Sequence, residues 1–413
     1  MEIISEHGED IYRLAEELKI QERKIIDFST SVNPLGVSKK VKAEIRKHLK
    51  YLHNYPDSEA IRLKKRLAQY HGIDPEMILC GNGSTELIYL IARTLKPKKV
   101  LIPAPTFSEY ERAIALLQNT EMSPPTHPSP SRGEGKGGGE SPDPMLWNLE
   151  SIKHFLLYKE NGFEIIPDEL IKSMQDCNMA FLCNPNNPTG LLLGKDSVLK
   201  ITEAARNLKC YLIVDEAFID FCQGTVPDFV VSAQSNDLPP SQRQGVESGL
   251  SRISVIKEVE NNPYLIVLRS MSLFYALPGL RLGYGVFPLH LIDRLKENKE
   301  PWTVNSLAQR AAVVALKDKV YREGTFRLMK EEKKFLEKSF NKIGIEFFHT
   351  DVNFYLIKIS NAYEICQHLK KKGILVRDCS NLRGLDNTYI QVAIKSHKEN
   401  TILIKEFAAI LQK

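Results

Sequence analysis

Nowhere in the 413 residues does an apolar run reach the ~18 residues that a bilayer span needs, so no membrane helix is expected. The opening MEIISEHGED has neither a basic stretch nor an apolar one, so no secretory leader is expected. A dominant charge is also missing: 56 Lys+Arg face 51 Asp+Glu, a net charge of +5 spread along the chain. That mild excess describes a mixed solvated surface and argues against nucleic acid as a partner. The cysteines Cys80, Cys177, Cys183, Cys210, Cys222, Cys366 and Cys379 are odd in number and lack metal-finger spacing. They read as scattered reduced thiols of a cytoplasmic protein, neither a metal site nor a disulfide framework.

What is present is enough for a large core: 43% of the chain is hydrophobic, and the length suits two or three domains. Short apolar runs at 99–103, 179–185, 211–218 and 264–270 predict strands. Amphipathic helices fall between them, one carrying Val198, Ile201, Ala205 and Leu208 at helical spacing. Val41, Ile45, Leu49 and Leu52 predict one face of an earlier helix. Alternating strands and helices imply an α/β fold with a mostly parallel sheet covered by helices. The C-terminal part differs. Strand-like segments at 353–359, 374–378 and 388–394, led by a Lys/Glu-rich helix around 325–342, predict a smaller α+β layer.

Two stretches do not suit a packed fold. Residues 122–144 are dense in Pro, Gly and Ser and are expected to be disordered. The polar stretch 234–252 is expected to be a second surface insertion.

Several constellations carry chemistry. GNGST (81–85) precedes a helical pattern, so its glycines and hydroxyls suit a phosphate cup; equally, Ser84 or Thr85 could be a plain helix cap. NPNNPTG (184–190) holds each Asn before its Pro extended or cis, which either aims an Asn side chain into a pocket or builds a rigid loop. Asp215 ends the run YLIV, where parallel sheets place functional groups; a satisfied cap is the alternative. Ser270 and Arg281 could both donate to an anion.

In order and type, EHGEDIYRLAEEL, IIDFSTSVNPLG, YPD, GNGSTELI, CNPNNPTG, VDEAFIDF, YALPGLRLGY, PWTVN and ILVRDCSNLRGLD together resemble the fold-type I pyridoxal-phosphate enzymes of the class I/II aminotransferase group. Within it the chain is most similar to the threonine-phosphate decarboxylase branch of cobalamin biosynthesis, related to histidinol-phosphate aminotransferase. The resemblance implies a large cofactor-binding domain over 36–299, with inserts at about 120–147 and 234–252. Residues 1–35 with 300–413 would form the small domain. It implies that Ser84, Thr85, Ser270 and Arg281 hold the cofactor phosphate, joined by Tyr55 from the other subunit of a homodimer. Phe107 would stack on the pyridine ring, Asn187 would bond the ring hydroxyl, and Asp215 would pair with the ring nitrogen. His7, Asn33 and Arg377 would face the substrate's phosphate and carboxylate ends.

The chain departs from the family pattern at demanding positions. The Schiff-base lysine belongs three residues after Ser270, where the sequence has Leu273. Leucine can neither form the covalent bond nor move protons, and the neighbouring Ser272 cannot replace it. The carboxylate-gripping arginine before VAI is Gln391, which has no charge and no fork, and Lys395 beyond it is a displaced point charge. Glu9 stands where the family's HGG motif has its second glycine.

The expectation is therefore a threonine-phosphate-decarboxylase-like protein with impaired catalysis, holding pyridoxal 5'-phosphate non-covalently if it binds it. The reaction of that branch converts threonine phosphate to 1-amino-2-propanol phosphate. The alternatives are an aminotransferase acting on a phosphorylated amino acid or on histidinol phosphate, and a non-catalytic binding homologue.

Overall fold

The computed structural model describes residues 10–121, 151–224, 250 and 252–411. His7, Glu9, the insertion at 122–144 and nearly all of 234–252 lie outside these described residues.

The larger sheet has seven strands: β1 (Ile78–Gly81), β2 (Val100–Ala104), β3 (Ile152–Leu156), β4 (Met179–Cys183), β5 (Tyr211–Asp215), β6 (Leu265–Ser270) and β7 (Gly283–Val286). Their spatial order is β1-β7-β6-β5-β4-β2-β3. β7 is antiparallel to both neighbours, and every other pairing is parallel. The fold is thus the α/β class read from the alternating pattern. β2, β4 and β6 are buried along their whole length, which is why they read as continuous apolar runs rather than alternating ones.

A second sheet is wholly antiparallel, with β8 (Glu346–Phe347), β9 (Phe354–Lys358), β10 (Arg377–Asp378) and β11 (Tyr389–Ala393) in the order β10-β11-β9-β8. The segment 374–378 is not one strand: Ile374–Leu375 pairs in parallel with Ile26–Asp27, and β10 turns to pair with β11. The chain's start is thereby tied to its C-terminal part.

The helices follow local rules. Ser38 Oγ accepts the Val41 N–H and caps the helix Lys39–His48. Asn305 caps Ser306–Ala315 in the same way, through the Ala308 N–H at 2.8 Å. The Lys/Glu-rich helix runs Lys319–Ile343 and stops at Gly344, where φ is +73°. The face read from Val41 to Leu52 is shorter than its spacing suggested. The α-helix ends at His48, leaving Leu49 and Leu52 about half exposed on the following turn.

Strand direction positions the site. The C-terminal ends of β1, β4, β5 and β6 meet at one edge with the start of β7, because Gly283 pairs with both Gly81 and Ser270. Open parallel sheets bind ligands at such an edge.

Candidate functional site

At that edge lies a cavity of about 390 Å³. Ser84, Thr85, Phe107, Asn187, Asp215, Ser270, Leu273, Arg281, Arg377 and Gln391 all line it. Segments more than 300 residues apart in sequence thus converge on one space.

One end is built for an anion. The helix Gly83–Leu95 starts at the cavity, and its N-cap Asn82 makes no side-chain cap bond. Ser84 and Thr85 sit inside the first turn, so neither is the helix cap; their hydroxyls have no protein partner among the described residues. A Cβ on Gly283 would come within 2.2 Å of the Ser84 N, so only glycine lets β7 pass so close to the helix start. Gly83 has φ +82°, and a Cβ there would sit 2.6 Å from Nη2 of Arg281. The guanidinium therefore lies over the helix N-terminus, with no carboxylate partner among the described residues. Free N–H groups, hydroxyls and an uncommitted arginine form a phosphate cradle. Ser270, at the end of β6, accepts the Ser272 N–H at 3.1 Å and keeps its own hydroxyl hydrogen.

Deeper in the cavity stands Asp215, 3% exposed. Tyr110 Oη donates to its Oδ2 at 2.7 Å and the Ala217 N–H to its Oδ1 at 3.0 Å. No cation pairs with it among the described residues. Burial pushes its carboxyl up to about 6, against the opposing pull of those two donors. Such a carboxylate is suited to a protonated ring nitrogen. Tyr110 is fixed by stacking on Phe181, with ring centroids 4.7 Å apart, and by an edge contact with Phe107.

Leu273 forms part of the wall and packs on the main core. No lysine lines the cavity among the described residues. Lys195 pairs with Glu258 at 3.5 Å, and Lys257 lies beside Gly72, both away from the site. Lys395 donates to the Thr30 carbonyl at 3.1 Å and is not on the wall.

Across from Asp215, Arg377 and Gln391 face each other in β10 and β11. Arg377 Nη1 donates to Gln391 Oε1 at 3.4 Å, and Gln391 Nε2 donates to Asn187 Oδ1 at 2.9 Å.

Three expected residues stand elsewhere or outside. Asn33 is buried but does not line the cavity: its Nδ2 donates to the Phe274 carbonyl and Thr325 Oγ1, and its Oδ1 accepts from the Leu35 N–H. All its polar atoms have protein partners, so it braces the fold instead of facing a substrate. Tyr55, expected to act on the other subunit's site, is 82% exposed outside its own chain's cavity, its ring tilted against Trp302 with centroids 5.2 Å apart. His7 lies outside the described residues.

Other residues escaped the sequence reading. Ser29, Thr30 and Ser31 form a wall shaped by Asp27, whose carboxylate accepts from the Ser29 and Thr30 hydroxyls. Tyr110 gave only a weak signal, three residues after Phe107 at a helix start. Arg269, 0% exposed, donates to Glu216 Oε2 at 2.9 Å and Asp220 Oδ1 at 3.0 Å. Its signal was a lone cation inside the apolar strand LIVLRS.

The family described as aminotransferase class I and II matches residues 23–132 and 146–407. Threonine-phosphate decarboxylase of Salmonella typhimurium is 32% identical over 410 residues, covering 98% of this chain and 97% of its own. The crystal structure of histidinol-phosphate aminotransferase from Clostridium acetobutylicum superposes with a TM-score of 0.73 at 27% identity, covering 94% of this chain and 99% of that one. The same enzyme from Sinorhizobium meliloti, in complex with pyridoxal-5'-phosphate, shares the fold at a TM-score of 0.75 and 17% identity, covering 98% of this chain and 95% of that one.

Proposed function

This chain belongs to the class I and II aminotransferase family, and from that premise we propose that it is a threonine-phosphate-decarboxylase-like protein. In this reading it holds pyridoxal 5'-phosphate without a covalent bond, and its turnover is lost or strongly reduced. The observation that carries the proposal is Leu273 on a cavity wall that has no lysine among the described residues.

The residues that line the cavity suit the cofactor's phosphate and ring. Arg281, Ser84, Thr85, Ser270 and the open helix N-terminus suit its phosphate. Asp215, buried without a cation, suits its ring nitrogen, Asn187 its ring hydroxyl, and Phe107 one ring face. When bound, the group supplies an electron sink for chemistry at the carbon bearing the substrate amine. The chain's own part would be to hold that sink and the substrate together and to exclude water. Moving a proton to or from the reacting carbon falls to the missing lysine, and Leu273 has no group that can do it. Binding of ligands outlasts this loss, because the phosphate and ring contacts do not involve position 273.

A second copy of the chain completes the reading. Tyr55 is exposed beside Trp302, available to reach the phosphate of a partner's site.

The test is chemical. Purified protein is mixed with pyridoxal phosphate and the mixture is reduced with borohydride and digested. No lysine should be modified stoichiometrically, and the cofactor should leave on dialysis. A lysine modified stoichiometrically after unbound pyridoxal phosphate has been removed would overturn the proposal.

A further inference from the structure

We propose that the wall formed by β10 and β11 recognises an amine carrying one anionic group, not an amino-acid phosphate carrying two. Gln391 sets this preference as a positioning residue. The inference rests on the cofactor reading above and names the ligand class of the same cavity.

Gln391 is 2% exposed and its amide is engaged at both ends. Its Oε1 accepts from Arg377 Nη1 at 3.4 Å and its Nε2 donates to Asn187 Oδ1 at 2.9 Å. Arg377–Gln391–Asn187 is therefore one hydrogen-bonded chain from the antiparallel sheet to the loop after β4. Where an arginine would offer a second fork, the glutamine holds the remaining one in place.

That remaining guanidinium has an opening. Nη2 of Arg377 is buried and has no acceptor among the described residues. A buried N–H of this kind is costly unless something accepts from it, so it marks where a ligand oxygen belongs.

The charges on the wall set the number of anions. Arg281 and Arg377 are the only cations among the described lining residues, against Asp215 and Glu109. Arg281 lies over the helix start, where the cofactor phosphate is read to sit. Among the described lining residues, one guanidinium is left for the substrate. Lys395 does not add a second, since its ammonium is turned to the Thr30 carbonyl. An amino-acid phosphate would bring both a carboxylate and a phosphate into this space. One of them would be stripped of water with no counter-charge among the described residues, which selects against it. An amine with a single anion leaves nothing unpaired. Two sources share that chemistry: the phosphate ester of an amino alcohol, and an amino acid with an uncharged side chain.

Three stable ligands separate these outcomes: the phosphopyridoxyl secondary amines of 1-amino-2-propanol phosphate, of threonine and of threonine phosphate. Each carries the cofactor moiety already joined to the amine, so no exchange with free aldehyde confuses the titration. Calorimetry on the full chain should find one of the first two bound roughly tenfold or more tighter than the third. The amino-propanol adduct binding best identifies a phosphate ester, and the threonine adduct binding best identifies a carboxylate. Gln391→Arg should reverse the order in favour of the threonine phosphate adduct. Gln391→Leu, which removes the brace without adding charge, should weaken the preferred ligand without bringing the threonine phosphate adduct to the top of the order. A change in ligand order is something a merely structural role would not produce. Wild-type protein that binds the threonine phosphate adduct tightest, or binds none of the three, overturns the inference. Failure of pyridoxal phosphate itself to bind would instead count against the cofactor reading.

Discussion

Tyr110 donates its phenolic hydrogen to Asp215 across 2.7 Å, inside a cavity where no described cation meets that carboxylate. The pair joins a helix start to the end of β5, 105 residues away in sequence. It holds a charge in place before anything arrives to neutralise it, which is electrostatic preorganisation in its simplest form.

A cost in stability follows from that arrangement. Asp215 has its carboxyl raised by burial to about 6, above its ordinary value of 3.8. A carboxyl raised in the fold binds its proton more tightly there than in the unfolded chain. Its contribution to stability is therefore greatest below about pH 4 and is lost as pH rises through about 6, a change of about 3 kcal/mol. Denaturation of the cofactor-free protein should find Asp215→Asn more stable than wild type at pH 8, with the difference closing below pH 4. The same variant should bind pyridoxal phosphate more weakly, because the ring nitrogen loses its counter-ion.

Tyr110→Phe should raise the Asp215 carboxyl further, since one donor to the charged form disappears. The pH below which the Asp215→Asn difference starts to shrink should move upward, and the difference at pH 8 should grow, when both proteins carry Tyr110→Phe. Loss of the hydrogen bond should also cost about 1–2 kcal/mol in urea unfolding. An unchanged pH profile would mean that the phenol does not act on the carboxylate.

Gly83→Ala tests the phosphate cradle. The added methyl would meet the Arg281 guanidinium at 2.6 Å, on a backbone at φ +82°. The left-handed backbone alone should cost about 1–2 kcal/mol. Because the guanidinium must move off the helix start, affinity for pyridoxal phosphate should fall by roughly tenfold or more. Equilibrium dialysis reads the affinity and thermal unfolding reads the stability.

Beneath the cavity, Arg269 holds Glu216 and Asp220 in a fully buried cluster. Arg269→Met should strand two buried carboxylates and destabilise the fold by about 3–5 kcal/mol. Replacing all three residues by apolar ones of similar size should recover most of that loss. Chemical denaturation of the single and triple variants distinguishes an uncompensated charge from lost packing.

Much of this was legible in the sequence because it is local. The apolar run ending in Asp215 gives both the strand and the position of its carboxylate, since a buried parallel strand admits charge only at its end. GNGST likewise gives the helix start, because glycine and hydroxyl residues have few other reasons to stand in that order. What the sequence could not give are contacts made by folding. Gln391 reaches Asn187 over 204 positions, and Asn33 reaches Thr325 over 292. Neither leaves a period or a spacing to read. Asn33 was expected at the site only from the family resemblance, and only the packed structure supplies the partners that occupy its amide. Leu49 and Leu52 continue a helical spacing past the point where the backbone tightens at His48, so periodicity alone overran the helix.

The central claim is that the cavity keeps its cofactor contacts and lacks only the covalent one at position 273. Its most direct measurement is borohydride reduction of the protein with pyridoxal phosphate, run in parallel on wild type and Leu273→Lys and mapped by peptide mass spectrometry. The account predicts no stoichiometrically modified lysine in wild type and a stoichiometric phosphopyridoxyl group at position 273 in the variant. A stoichiometrically modified lysine in wild type, or a correctly folded variant whose position 273 stays unmodified, would contradict it.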